Sequence, residues 1–470
     1  MKVLINPHRG LALGLLFSAT VGAAEFPQYD IELVNELCPA AANPASYTTK
    51  ELEFHSLLVD GQDGWLFRTK NDLRVDIGTT PDGYAKLKRL RDALKARGTE
   101  LLVVFQPTKG LVNRSKLTPD WQAKYDWETA RANYVKTIEA FRKIGIWAAD
   151  YSSLFDEQAE QAYFFKDDNH WTPSGAERTA KLTAEVLKQI PAYAAMDKKE
   201  FVTKRVGILR SRGGSSEAAA KICGNGYGYE YVDRFATEPA DESSGDSLFG
   251  DESTPDVVLV GTSNSGERYN FVGYLEQYSG VEVMNMSVTG GGYDSAMLQL
   301  LASEEFQKDP PKVVVWEFAP HYDMSLRDFY RQAVPMVDNG CQGQPALLTN
   351  KVKLRPGRNE IFLNGVNGMK EITSANHMID LRFSDPSVHE ARANVWYFSG
   401  RKESYKLEQS SRVDTGGRYL FELRDEDDWG DLTLMGLEIM SPENMPEGLT
   451  VEATVCRRHD GSRQRLASNE

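Results

Sequence analysis

The sequence predicts an α/β domain built on a mostly parallel, helix-covered sheet and followed by a smaller β-sandwich, and three observations carry that reading. Helix and strand patterns alternate through the first 340 residues. The strands there are uninterrupted apolar runs, Glu100 to Gln106 (ELLVVFQ), Asp256 to Gly261 (DVVLVG) and Lys312 to Phe318 (KVVVWEF), as strands buried on both faces read. From Cys341 the texture changes to short alternating runs broken by Gly, Pro, Asn and Asp, the pattern of a sandwich. With 470 residues, 41% hydrophobic and 26% charged, the chain has material for one large and one small domain with true cores. That composition excludes disorder, collagen and coiled coil.

In chain order, the first feature is Leu11 to Ala24 (LALGLLFSATVGAA), preceded by Lys2 and Arg9 and ending in small residues before Glu25. A membrane anchor needs about 20 apolar residues. This run is shorter and has an acidic flank, so residues 1–24 read as a cleavable secretory signal peptide. No later run is long enough to span a bilayer, so no membrane span is expected after cleavage. Export sets the redox environment of Cys38, Cys223, Cys341 and Cys456. They are too scattered for a zinc site, and an even count in an exported chain reads as two disulfides. Of the three possible pairings, the domain division favours Cys38 with Cys223 and Cys341 with Cys456.

Asp82 to Arg97 places Leu87, Leu90 and Leu94 on one helical face and stops at Gly98, a C-terminal cap signal, before the strand at 100–106. Trp127 to Lys143 is a second helix, followed by Gly145 and a short strand, Ile146 to Ala149. A third runs from Ser174 to about Ile190, with Thr172 as N-cap and Pro173 at the first position. Glu238 to Pro255 (EPADESSGDSLFGDESTP) cannot bury enough apolar surface to order itself and reads as a mobile acidic insertion. The first domain thus covers 25–340. Residues 341–470, with runs at 360–363, 395–398, 418–423, 432–439 and 449–455, form the sandwich.

Chemistry is signalled first by DVVLVGTS, where an apolar strand ends in Gly-Thr-Ser and passes into a helix start. Ser263 there has its hydroxyl at the mouth of the sheet, where ligands of such sheets sit, and backbone amides at the helix start can hold a developing oxyanion. Thr262 and Ser265 are rival nucleophiles, and Ser263 could equally be a plain helix cap. A serine needs a base. Six histidines lie beyond the signal segment, and His170 stands out in YFFKDDNHWTPSGA, beside Asp168 (Asp-x-His) and Asp167 (Asp-x-x-His). Either carboxylate can fix the imidazole tautomer and stabilise the imidazolium. Glu317, ending its strand, reads as an active-site acid or as simple strand-end solvation.

Four motifs together, Asp60 to Phe67 (DGQDGWLF), Pro107 to Asn113 (PTKGLVN), Asp168 to Trp171 (DNHW) and Gly261-Thr262-Ser263, resemble the AlgX/AlgJ family of alginate O-acetylation proteins, whose catalytic domain is SGNH-hydrolase-like. The resemblance covers essentially the whole chain after the signal segment. The added β-domain and two cysteine pairs point to the AlgX branch. It implies a permuted SGNH order, with Asp-x-His preceding the serine, and the roles nucleophile for Ser263, base for His170 and orienting acid for Asp168. Tyr269, on the same helix as the serine, is implied as an active-site neighbour. The remaining oxyanion donors are not placed by it. Asn285 and Gly291, in MNMSVTGGGYDS, are the natural candidates, although the glycine run could equally be a tight turn.

Alginate is a chain of uronic acids, so holding it calls for Arg and Lys against carboxylates and an aromatic face against the sugar ring. Lys+Arg 54 against Asp+Glu 68 gives a net charge of −14, which excludes nucleic acid as a non-specific partner and means the polymer must be held by a local basic patch. Arg392, Asn394 and Trp396 share one face of a strand by the period-two rule. Arg401 and Lys402 follow, and Lys351, Lys353, Arg355 and Arg358 come earlier. A core tryptophan flanked by solvated charges is the bland alternative, and the family's carbohydrate-binding module favours binding. The reading is a periplasmic O-acetyltransferase working through a serine acetyl ester, with no metal or organic cofactor, an acetyl donor the sequence does not identify, and protein partners in an alginate biosynthesis and export complex. A carbohydrate esterase with the same triad and a non-catalytic polysaccharide scaffold are the alternatives.

Overall fold

The computed structural model describes residues 37–459 with the exception of 156–158, 225–226, 241–254, 367 and 409–412. The signal segment and most of the acidic insertion lie outside the described residues. A small hairpin, β1 (Leu58–Asp60) with β2 (Leu66–Arg68), precedes the main sheet. The helix Pro81–Ala96 begins where Thr80 accepts a hydrogen bond from the Gly83 amide, and it buries Leu87, Leu90 and Leu94 completely. It leads into β3 (Glu100–Phe105), and the helix Trp127–Lys143 leads into β4 (Trp147–Ala148).

After the helix Pro173–Leu187 comes an antiparallel pair that the sequence pattern did not disclose, β5 (Phe201–Ser211) and β6 (Glu230–Pro239). Glu238 and Pro239 therefore belong to a strand end, not to the acidic insertion. The chain then enters β7 (Val257–Val260), β8 (Val283–Asn285) and β9 (Val313–Phe318). The five-stranded sheet is parallel in the order β4-β3-β9-β7-β8, and β7 and β9 are wholly buried, as their unbroken apolar runs require.

The helix Arg327–Val337 connects to the sandwich, whose strands are β10 (Leu348–Lys353), β11 (Gly357–Leu363), β12 (His377–Phe383), β13 (Glu390–Tyr397), β14 (Lys402–Glu408), β15 (Arg418–Glu422), β16 (Leu434–Ser441) and β17 (Thr450–Arg457). Two four-stranded antiparallel sheets, β10-β17-β12-β15 and β11-β16-β13-β14, enclose a second apolar core. The domains are locked together. Leu420 of β15 joins the core of the first domain, and Arg331 donates to both oxygens of Glu403 on β14 at 2.5 and 3.0 Å with both side chains buried. Gly340 sits at this joint with φ +60°, and a Cβ there would stand 1.8 Å from the Leu420 side chain. The disulfides are Cys38–Cys223 and Cys341–Cys456, one in each domain. No described helix is long and apolar enough to cross a membrane.

Candidate active site

β7 runs between β9 and β8 and leads into Gly261, which touches the β9 carboxylate so closely that a Cβ would lie 2.7 Å from Glu317 Oε2. The next residues do not start an α-helix. Ser263–Ser265 and Glu267–Tyr269 are separate 3₁₀ turns, and Asn270 at φ +56° delays the helix to Phe271–Ser279. Tyr269 is therefore on a turn before that helix, not on one helix with the serine. It is 1% exposed and its ring stacks on His170 at 5.3 Å between centroids.

Ser263 is half-buried, and its Oγ lies 2.7 Å from His170 Nε2. On the other side of the ring, His170 Nδ1 lies 3.0 Å from Asp168 Oδ1, close enough for charge pairing but off the line of a hydrogen bond. Burial alone would raise the Asp168 carboxyl, but His170, the Asn169 amide and Lys109 together hold it well below the usual carboxylate range. The other carboxylate of the loop faces elsewhere: Asp167 Oδ1 accepts from the Gly213 amide at 3.2 Å, and burial raises its carboxyl. The rivals to Ser263 are also otherwise engaged. Thr262 Oγ1 and Ser265 Oγ both donate to Glu317, at 3.0 Å to its Oε2.

Glu317 is neither a solvated strand end nor exposed to a ligand. It is 0% exposed and accepts from Gln106 Nε2 at 2.6 Å and the Thr262 amide at 2.8 Å besides those two hydroxyls, so it holds the serine turn against β3 and β9. Burial pushes its carboxyl up, and the donors from Thr262 and Ser265 oppose that.

The base-bearing loop is held by a residue the sequence reading passed over. Lys109 is 2% exposed, and its Nζ donates to three carbonyls, Leu66 at 2.8 Å, Lys166 at 2.7 Å and Asp168 at 3.0 Å, beneath the rings of Trp65 and Phe67. One ammonium thus joins three of the recognised motifs, 60–67, 107–113 and 168–171. Burial draws it down to about 8, against the opposing pull of Asp72, Glu230 and Asp167. Trp171, fully buried, adds a second tie from the same loop, its Nε1 donating to the Asn264 carbonyl at 2.8 Å. The signal that could have revealed Lys109 is its place as the one charge in 101–113 (LLVVFQPTKGLVN), directly after a buried strand.

Of the two oxyanion candidates, Gly291 has its amide spent elsewhere, whereas Asn285 stands beside the serine turn with one of its two amide hydrogens used. The Gly291 amide donates to the Val288 carbonyl at 3.0 Å in a tight turn, which removes it as a donor. Asn285 donates through Nδ2 to the Ser265 carbonyl at 2.9 Å and accepts from the Ser287 amide, tying the β8 exit to the serine turn. The Ser263 amide itself has no acceptor among the described residues. Among them there is also no cluster of metal-ligating side chains.

On the sandwich, β13 and β14 place Trp396 opposite Lys402, Asn394 opposite Ser404 and Arg392 opposite Lys406. Lys402 Nζ lies 5.4 Å from the Trp396 ring centroid, and Ser404 Oγ donates to Asn394 Oδ1 at 2.8 Å. The structure therefore brings Arg392, Asn394, Trp396 and Lys402 into one surface row. Lys351 and Lys353 are on β10 in the other sheet, and Arg358 on β11 is ion-paired with Glu438.

Comparisons agree with this architecture. A family model for the SGNH hydrolase-like domain of the acetyltransferase AlgX matches residues 58–320, and a C-terminal carbohydrate-binding module matches residues 340–468. The chain is 52% identical over 450 residues to the alginate biosynthesis protein AlgX of Pseudomonas aeruginosa, covering 95% of this chain and 94% of that protein. It is 45% identical over 463 residues to AlgX of Azotobacter vinelandii, covering 97% and 96%. The probable alginate O-acetylase AlgJ of P. aeruginosa is 32% identical over 292 residues, 56% of this chain and 70% of AlgJ. A solved structure of P. aeruginosa AlgX superposes with a TM-score of 0.85 at 52% identity, covering 90% of this chain and all of that one.

Proposed function

The chain belongs to the AlgX family, with an SGNH-hydrolase-like domain and a carbohydrate-binding module, and from that premise we propose that it transfers acetyl groups to alginate hydroxyls in the periplasm through an ester on Ser263. The observation that carries the reading is the His170 ring, bridging Ser263 Oγ at 2.7 Å and Asp168 at 3.0 Å. In the first half-reaction His170 Nε2 takes the Ser263 proton as Oγ attacks the donor's acetyl carbon. The imidazolium, held by the ionised Asp168, then returns the proton to the departing group. The Ser263 amide supplies an oxyanion donor. In the second half-reaction a uronate hydroxyl gives its proton to His170 and attacks the acetyl-enzyme, and Ser263 is reprotonated as it leaves.

The row Arg392, Asn394, Trp396 and Lys402 holds the polymer by ring stacking and by charge pairing with carboxylates. Protein partners in an export complex are part of the same reading, supported by the relatives' role in alginate biosynthesis. No metal or organic cofactor enters any step.

The test supplies a chromogenic acetyl ester and oligomannuronate together. Acetylated oligosaccharide detected by mass spectrometry supports transfer. Acetate release without acetylated product identifies an esterase, and no acetate burst at all identifies a non-catalytic scaffold.

A further inference from the structure

A pocket of about 250 Å³ opens at one end of the sandwich, between its two sheets. Its floor is the mouth of the sandwich core, with Leu354, Phe383 and Ile439, and its rim includes Asn444 and Met445. The pocket is continuous with the row proposed to hold polymer. Glu390, which lines it, begins β13 and pairs with Arg392 at 3.0 Å. Met440, which also lines it, stands opposite Arg392 in the β13–β16 register and is 37% exposed. Trp396, Asn394 and Arg392 therefore lead along β13 to the pocket, and a chain lying over them arrives there with its next rings.

The pocket and the row have opposite chemistry. A plain uronate ring offers carboxylate and hydroxyl groups, which lose by entering a pocket whose lining is mostly apolar, with Ser387, His389, Glu390, Ser441 and Asn444 as its polar members and Glu390 as its anion. An O-acetyl ester offers an apolar methyl, with a carbonyl that can stay at the wet rim. Acetylation adds to this substrate a small, projecting apolar group of a size the pocket can take.

The geometry points to a product-reading subsite: the pocket receives an O-acetyl group of a chain already lying on β13 and β14. This rests on the polymer reading of that face and goes beyond it, because it gives the module a preference for modified chain. A module that prefers the product retains a chain once its first acetyl groups are in place.

The experiment titrates defined oligomannuronates, unmodified and chemically O-acetylated, into the full disulfide-bonded chain. A Ser263→Ala background keeps the acetyl groups in place during the measurement. Acetylation leaves the carboxylate charge unchanged, so charge attraction is common to both ligands. Burying one small apolar group makes the acetylated chain roughly fivefold tighter. Asn444→Trp sets an indole across the exposed rim and should abolish that preference, with binding of unmodified chain kept within about twofold, as for an ordinary surface change. Asn444→Ala should keep the preference. Equal affinity for the two ligands in the parent protein overturns the subsite and leaves the polymer reading standing. Binding of neither overturns the polymer reading and the subsite with it. A preference that survives Asn444→Trp puts acetyl recognition elsewhere and also overturns the proposal.

Discussion

Glu317 accepts hydrogen bonds from Gln106, Thr262 and Ser265 with no exposure to solvent, whereas Arg392 on the sandwich face is paired with Glu390 while both side chains stay largely in water. The same contrast separates Lys109, fixed on three carbonyls, from Lys402, which lies over Trp396 on the outward face of β14. The turn and loop beneath Ser263 and His170 are held by buried groups whose partners are fixed. The sandwich row keeps its charged ends at the surface, on contacts with neighbours in the same sheet. Reaction at a serine depends on sub-ångström placement, because a misplaced group loses most of its effect. Holding a polyanion depends on the number and sign of contacts, each weak and screened.

If that contrast is sound, changes in the first region should be large and indifferent to salt. Ser263→Ala should cut transfer by about 10⁴-fold or more, and His170→Ala comparably, since members of such a unit fail together. Thermal unfolding and polymer binding should stay at the parent values. Turnover intact in Ser263→Ala with loss in Ser265→Ala would move the nucleophile. Glu317→Gln comes next: one acceptor oxygen becomes an NH₂ among partners, Gln106, Thr262 and Ser265, that all donate in the parent. The serine turn must shift, and small-ester turnover should fall by about 10²-fold, the scale of a small misplacement. An unchanged rate in that variant would show that the turn holds itself without Glu317.

Lys109 sharpens the comparison through pH. In the folded chain it sits at about 8, against an ordinary 10.5. Between those values the unfolded chain keeps a proton that the folded chain has released, so folded stability rises with pH across the window. Lys109→Met removes the titration. The stability difference between parent and variant should therefore widen in the parent's favour between pH 8 and 10.5, by up to about 3 kcal/mol. Thermal unfolding of both proteins at pH 7.5 and pH 10 reads it. Parallel shifts in the two proteins would mean that Lys109 keeps its charge and that the three carbonyls offset its burial.

The sequence disclosed the parts of this molecule whose burial has one dominant direction. The strands β3, β7 and β9 are covered on both faces and read as plain apolar runs. The helix Trp127–Lys143 buries one stripe and shows helical period. Ser263 and His170 were legible because a strand exit and an Asp-x-His spacing carry their chemistry locally. The arm β5–β6 was not, since nearly all of its residues are exposed or half-exposed and neither face alternates cleanly. The helix Arg327–Val337 has a strong amphipathic period, yet it buries every residue from Phe329 to Val337 between the domains, polar ones included, and Pro335 inside it reads as a break. The β14 run Lys402–Glu408 looks like a solvated charged stretch, yet Glu403 and Tyr405 face the first domain while Lys402 and Ser404 face outward. Lys109 binds backbone carbonyls, and a partner that is backbone leaves no trace in residue type.

The smallest effects belong to the sandwich row, and they test the contrast from its other side. Trp396→Ala should weaken polymannuronate binding by about 1–3 kcal/mol, the worth of a ring stacked on an aromatic face with its cation–π neighbour. Lys402→Ala should cost less, by up to about 1 kcal/mol, because an exposed charge is screened. Hydrolysis of a small acetyl ester should be unchanged in both, since that substrate needs only the serine, its base and the oxyanion donor. Salt separates the two variants. The chain carries a net charge of −14, so a few cations must attract a polyanion against overall repulsion. Removing one of them should flatten the fall of affinity with ionic strength, while removing the indole should lower affinity by a similar factor at every salt concentration. If both variants bind polymer normally but lose small-ester turnover, Trp396 and Lys402 act on the serine site through β14 and its Glu403–Arg331 pair, and the division between a fixed site and an adjustable surface fails.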